Sequence, residues 1–97
     1  MAEFVQIIEF ETDKVDELRR LEHELRNAGG EMRISNGMMA KDRDKPNSYV
    51  VMVEFPSYEA AEANNNDPRT QEFAAKMQQL ASSKTTFHNL DLIERMP

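Results

Sequence analysis

The chain has 97 residues, of which 39% are hydrophobic and 31% charged, with a formal charge of −6 and no cysteine. A length of this order makes one small soluble domain with a thin core, residues 1–97. The charge balance argues against nucleic acid and anionic membranes as partners, and the cysteine count removes disulfides, thiol catalysis and thiolate metal sites.

The opening Met1-Ala2-Glu3-Phe4 enters a strand-like run with no basic leader and no long apolar segment, which predicts a cytoplasmic protein without a membrane span. Phe4 to Phe10 is rich in β-branched and aromatic residues and reads as strand one. Period two places Phe4, Gln6, Ile8 and Phe10 on one face, and Val5, Ile7 and Glu9 on the other. Both faces are largely apolar, so both require cover, and a lone two-layer domain covers only one. The expectation is a homodimer.

Asp13 is placed to cap a helix in which Val15, Leu18, Leu21, Leu25 and Ala28 recur at helical spacing. Asp16 with Arg20, and Glu22 with Arg26, fit i,i+4 pairs, and Gly29-Gly30 ends the segment. Glu31 to Lys41 alternates as a weaker strand whose Gly37 suggests a bulge. A charged turn, Asp42 to Asn47, leads into a strong strand from Ser48 to Phe55, so the two strands form a hairpin. Pro56-Ser57 ends it, and Ser57 caps a short Ala-rich helix through about Ala63. After the break Asn64-Asn65-Asn66-Asp67-Pro68, a second helix starts with Asp67 as cap and Pro68 at its first position, its inward stripe being Phe73, Met77, Leu80 and Ala81. Thr85 to Glu94 is the last strand, with Phe87, Asn89, Asp91 and Ile93 alternating against His88, Leu90 and Leu92. The order is β-α-β-β-α-β, an α+β ferredoxin-like sandwich with a four-stranded antiparallel sheet.

The strand ending Val53-Glu-Phe-Pro-Ser57, the helix opening Tyr58-Glu-Ala-Ala and the break before a second helix resemble the dimeric α/β-barrel superfamily, within it the small antibiotic biosynthesis monooxygenase-like proteins. The resemblance spans nearly the whole chain, in pattern more than in a diagnostic motif. It implies two protomers packed sheet to sheet, each with a pocket between its own sheet and helices. It also implies either cofactor-independent oxidation of an aromatic or polyketide-like compound or a non-catalytic ligand-binding or dimerisation module. Haem-degrading members carry an Asn on strand one and an aromatic and a His on the second helix. The corresponding positions here hold Gln6, then Asn64 or Asn65, then Phe73 or Ala74, with no histidine between His23 and His88, which argues against haem. No cofactor and no metal is expected.

Within that frame His88 is the candidate proton acceptor, since imidazole titrates near neutrality, and Asn64 and Gln6 are the candidate orienting amides. Asn65, Tyr49 and Phe73 are the candidate substrate-binding residues. Each has a plainer reading: His88 bonded at a sheet edge or dimer seam, the asparagines serving the turn they make, and Tyr49 simply packing. His23, between Glu22 and Glu24, reads as solvated, and the seven methionines read as adaptable filling.

Overall fold

The computed structural model describes residues 3–27 and 34–96. The elements are β1 (Phe4–Glu11), α1 (Val15–Asn27), β2 (Asn36–Lys41), β3 (Ser48–Phe55), α2 (Tyr58–Asn65), α3 (Pro68–Leu80) and β4 (Thr86–Asp91). The sheet is four-stranded in the order β2-β3-β1-β4, and the register of every neighbouring pair is antiparallel. The ferredoxin-like order therefore holds.

Cross-strand partners share a face, so the register defines two surfaces. The helix-facing surface carries Phe4, Gln6, Ile8 and Phe10 on β1, opposite Phe55, Val53, Val51 and Tyr49 on β3. On β4 it carries Asp91, Asn89 and Phe87. The helices close it with two clusters. Phe4, Phe55 and Ala61 form one, with Ile34, Val53 and Ala60 against it. Phe10, Leu18 and Met77 form the other, with Ile8, Tyr49, Val51, Phe73 and Leu80. The opposite surface carries Val5, Ile7 and Glu9, flanked by Glu54, Met52 and Val50 on β3 and by Leu90, His88 and Thr86 on β4. Among the described residues no helix covers it, and Met38 (54% exposed) and Leu90 (43%) lie open there.

The caps explain where the helices begin. Ser57 Oγ accepts the backbone N–H of Ala60 at 3.1 Å, and Asp67 accepts that of Arg69 at 2.9 Å with Pro68 at the first position of α3. Helix α1 departs from expectation. The carbonyl of Lys14, not Asp13, takes the first helical bond, from Leu18 at 3.1 Å, because the Thr12 hydroxyl holds Lys14 N–H at 3.0 Å and delays the helix. Asp16 pairs with Arg19 (3.9 Å) rather than Arg20, on the exposed side where such a pair counts for little. The side chain of Arg26, the Ala28 position, the Gly29-Gly30 stop and residues 31–33 of the expected second strand lie outside the described residues. Gly37 makes no bulge: the β2–β3 register runs unbroken through it, and an added Cβ would meet only Met52 O at 3.7 Å. The last strand ends at Asp91, three residues early. Beyond it Leu92 N still donates to Glu3 O (2.9 Å), and Arg95 folds back to Glu3 (2.6 Å) and Glu54 (3.0 Å). These two carboxylates raise the guanidinium's already high pKa.

Thr12 ties the two ends of the helical layer together. It is 1% exposed and donates to Leu80 O at 2.6 Å, satisfying one of the carbonyls that the end of α3 leaves without an intrahelical partner. Thr12→Val keeps the shape and strands that carbonyl and Lys14 N–H in a buried place. We expect a loss of about 2 kcal/mol in urea unfolding with an unchanged m value; a loss below about 0.5 kcal/mol would mean that the bond carries no stability.

Candidate functional site

Polar side chains at mid-strand on the helix-facing surface are few, and two of them meet. Gln6 Nε2 donates to Asn89 Oδ1 at 3.2 Å, across the register pair that joins β1 to β4. Their row, Gly37–Val53–Gln6–Asn89, lies between the row of Ile8 and Phe87 and the row of Phe4 and Asp91. On β1 this row sets Gln6 between Phe4 of the first cluster and Ile8 against the second, while Val53 of the same row packs on the first. The bond itself is exposed, so it adds little to the stability of the fold. Gln6 is half-buried and Asn89 is exposed at the β4 edge, so the pair sits at the solvent-facing end of its row.

From the helical side Asn64 follows Ala60 and Ala61, which pack on the first cluster, by four and three residues. That spacing carries the α2 inward stripe on to Asn64. Its Oδ1 stands 3.5 Å from the Thr70 hydroxyl, and its backbone carbonyl accepts from Asp67 N at 3.2 Å. Thr70 precedes Phe73 by three residues on α3, and Phe73 packs in the second cluster. The sheet thus offers one amide pair, Gln6 with Asn89, and the helices a second polar pair, Asn64 with Thr70, near Phe73. Tyr58 borders the first cluster, edge-on to Phe4 at 5.3 Å, and a hydrogen bond with the Glu62 carboxylate raises its phenol pKa and keeps it neutral.

The other candidates lie elsewhere. His88 pairs in register with Ile7, on the opposite surface from Gln6, and its Nε2 lies 2.8 Å from Glu9 Oε2. One chain does not bring His88 together with Gln6 and Asn64, because adjacent strand residues point to opposite sides of the sheet. Asn65 is exposed and contributes its backbone carbonyl to Gln71 Nε2 at 3.4 Å. Tyr49 stacks on Phe10 (5.8 Å between rings) and lines a cleft of about 170 Å³ at the end of the sheet, with Glu9, Glu11, Asp42, Lys45 and Lys84. His23 stays on the exposed side of α1, 3.9 Å from Glu22. Asn89 and Thr70 are the residues that sequence reasoning missed at this site. The signal for Asn89 was present: a ferredoxin-like order seats the last strand beside the first, which sets a mid-strand Asn opposite a mid-strand Gln.

Among the described residues no group of three or more His, Cys, Asp or Glu is arranged to hold a metal ion. No helix among them is long and apolar enough to cross a membrane.

Comparison with solved structures defines the class of fold. SnoaB, a cofactor-independent oxygenase from Streptomyces nogalater solved as an Asn-to-Ala variant, superposes with a TM-score of 0.84 at 15% identity, over 100% of this chain and 99% of that one. A Caulobacter crescentus protein provisionally assigned as an antibiotic biosynthesis monooxygenase gives 0.82 at 13% identity, over 96% and 92%. A conserved protein from Methanosarcina mazei Go1 gives 0.79 at 12% identity, over 93% and 92%. No protein-family model and no curated protein matches the sequence. The chain has the ferredoxin-like fold of the antibiotic biosynthesis monooxygenase-like proteins, and at these identities the likeness is one of fold.

Proposed function

We propose that the protein is a small-molecule-binding homodimer that oxidises an aromatic or polyketide-like compound with molecular oxygen and no cofactor. The observation that carries this reading is the amide pair Gln6–Asn89 set between two apolar clusters, with Asn64 and Thr70 on the helical side. Neutral donors in an apolar surround stabilise a delocalised phenolate or enolate without a full counter-charge. Such an anion is the electron donor that oxygen chemistry of this kind needs. Oxidation of a ring CH2 to a carbonyl then balances as substrate plus O2 giving ketone plus water, with all electrons drawn from the substrate. The proton leaves to water at the open β4 edge. Because His88 faces away, the substrate must be acidic enough to ionise with hydrogen-bond help alone, which selects hydroxylated anthrones and naphthoquinols. The similarity to SnoaB, described as a cofactor-independent oxygenase, supports the same reading.

The homodimer rests on the uncovered surface of the sheet, where Met38, Met52, Ile7, Val50 and Leu90 form an apolar band. A second copy of the same surface is the simplest cover, since an isologous contact needs only self-complementarity.

A second reading has its own support. No titratable side chain stands in the amide row, which suits a module that binds such a ligand without turning it over. A thermal-shift screen of hydroxylated naphthoquinones and anthrones, followed by an oxygen electrode on the binders, separates the two. A ligand at 100 times its Kd stabilises by about 2.7 kcal/mol, a rise on the order of 10 °C in Tm for a domain of this size. Binding with oxygen uptake supports the oxygenase, binding without uptake supports the module, and no shift across the screen removes both.

A further inference from the structure

We infer that Met38 and Met52 form a peroxide-responsive modification site, and that their oxidation holds two copies of the chain apart. The inference rests on the homodimer proposed above and goes beyond it by assigning that surface a chemistry and a control.

The methionines are placed unequally. Met77 is 5% exposed and fills the cluster of Phe10 and Leu18. Met38 and Met52 belong to neither buried cluster. They face each other across the β2–β3 register, in the row Met38–Met52–Ile7–His88 of the helix-free surface. Register partners on one face lie about 5 Å apart at Cβ, so the two thioethers make one patch. Met38 is 54% exposed, and Met52 beside it is half-buried. The chain has no cysteine, so the soft thioether is the sulfur that hydrogen peroxide meets first.

In that reaction a sulfur lone pair attacks one peroxide oxygen. The O–O bond breaks as the S–O bond forms, and water leaves after proton transfer. Sulfur gives up two electrons and the peroxide takes them. The sulfoxide sets a polar acceptor on a formerly apolar surface. Between two packed copies that oxygen finds no donor on the side chains of Ile7, Val50 or Leu90. A two-fold contact contains each sulfoxide twice. Packing also acts in the other direction, because a covering copy shields both sulfurs from peroxide. Oxidation therefore strikes separated chains and keeps them separate, while association protects them. Met39 is an internal reference. It follows Met38 in β2 but pairs with Val51 on the other surface and is 36% exposed, so a second copy leaves it open.

The test pulses the protein with hydrogen peroxide below and at about 100 times the dimer's Kd, then reads each sulfoxide by peptide mass spectrometry. Met38 and Met52 are expected to oxidise about tenfold more slowly in the concentrated sample, because few chains are then free. Met39 should oxidise at one rate in both samples, and Met77 slowly in both. Protein oxidised while dilute should sediment with a Kd raised at least about thirtyfold, its circular dichroism preserved. Methionine sulfoxide reductases should restore the dimer. The Met38→Leu/Met52→Leu double variant, close in volume and shape, should stay dimeric after peroxide. Equal rates for Met38 and Met52 at both concentrations in a protein that sediments as a dimer would overturn the inference and leave the dimer standing. So would an unchanged Kd after oxidation, or dissociation of the peroxide-treated double variant. A monomer at every concentration would remove the dimer and the inference with it.

Discussion

Met52→Lys is expected to turn a dimer into a folded monomer. Met52 stands in the middle row of the helix-free surface, with Met38 on one side and Ile7 then His88 on the other. In an isologous contact each substitution appears twice near the two-fold axis, so two ammonium groups would be drawn out of water beside each other. A penalty of about 4 kcal/mol corresponds to about a thousandfold in the dissociation constant. Sedimentation at micromolar concentration should show the wild type as a dimer and the variant at half that mass, with its circular dichroism preserved. Lysine here points away from both buried clusters, so folding should survive. A wild type that sediments as a folded monomer would contradict the dimer directly.

Gln6→Leu and His88→Ala are expected to diverge. Gln6 lies on the helix-facing surface between the clusters, and leucine there removes an amide from apolar surroundings. Stability should hold or rise, while ligand-dependent oxygen uptake should fall about a hundredfold, the usual consequence of deleting one donor to a developing oxyanion. His88 faces the other side, 2.8 Å from Glu9, with both side chains about half exposed. His88→Ala should leave uptake within about twofold of wild type, since a half-exposed side-chain contact contributes little and lies on the opposite surface from Gln6. If uptake instead follows His88 and ignores Gln6, the site lies on the wrong surface.

The sequence carried the architecture further than it carried the site. The alternation in Tyr49-Val-Val-Met-Val-Glu-Phe55 and the Asp67-Pro68 restart are local patterns, and both elements appear with the expected faces and caps. The stop of the last strand at Asp91 was not legible, because Arg95 turning back to Glu3 and Glu54 is a long-range ion-pair choice. The delay of α1 likewise depends on Thr12 reaching Leu80, 68 residues away. For the site, period two alone separated His88 from Asn89, yet choosing between them required knowing which surface the helices cover. Gln6 was a candidate by its position beside the strand-one Asn of the haem-degrading proteins that the chain resembles, and Asn64 by the run of three amides at the helix break. Tyr49 and Asn65 were candidates by residue type, and the structure gives them a ring stack with Phe10 and an exposed turn.

Where a ligand touches the protein decides most directly which surface is the site. In ¹⁵N-labelled protein titrated with 1,8-dihydroxyanthraquinone, the side-chain NH2 signals of Gln6, Asn89 and Asn64 should shift first and furthest, with those of Asn65 unchanged. Perturbations confined to His88 and Glu9, or to the Tyr49 cleft, would place the ligand elsewhere and contradict the assignment.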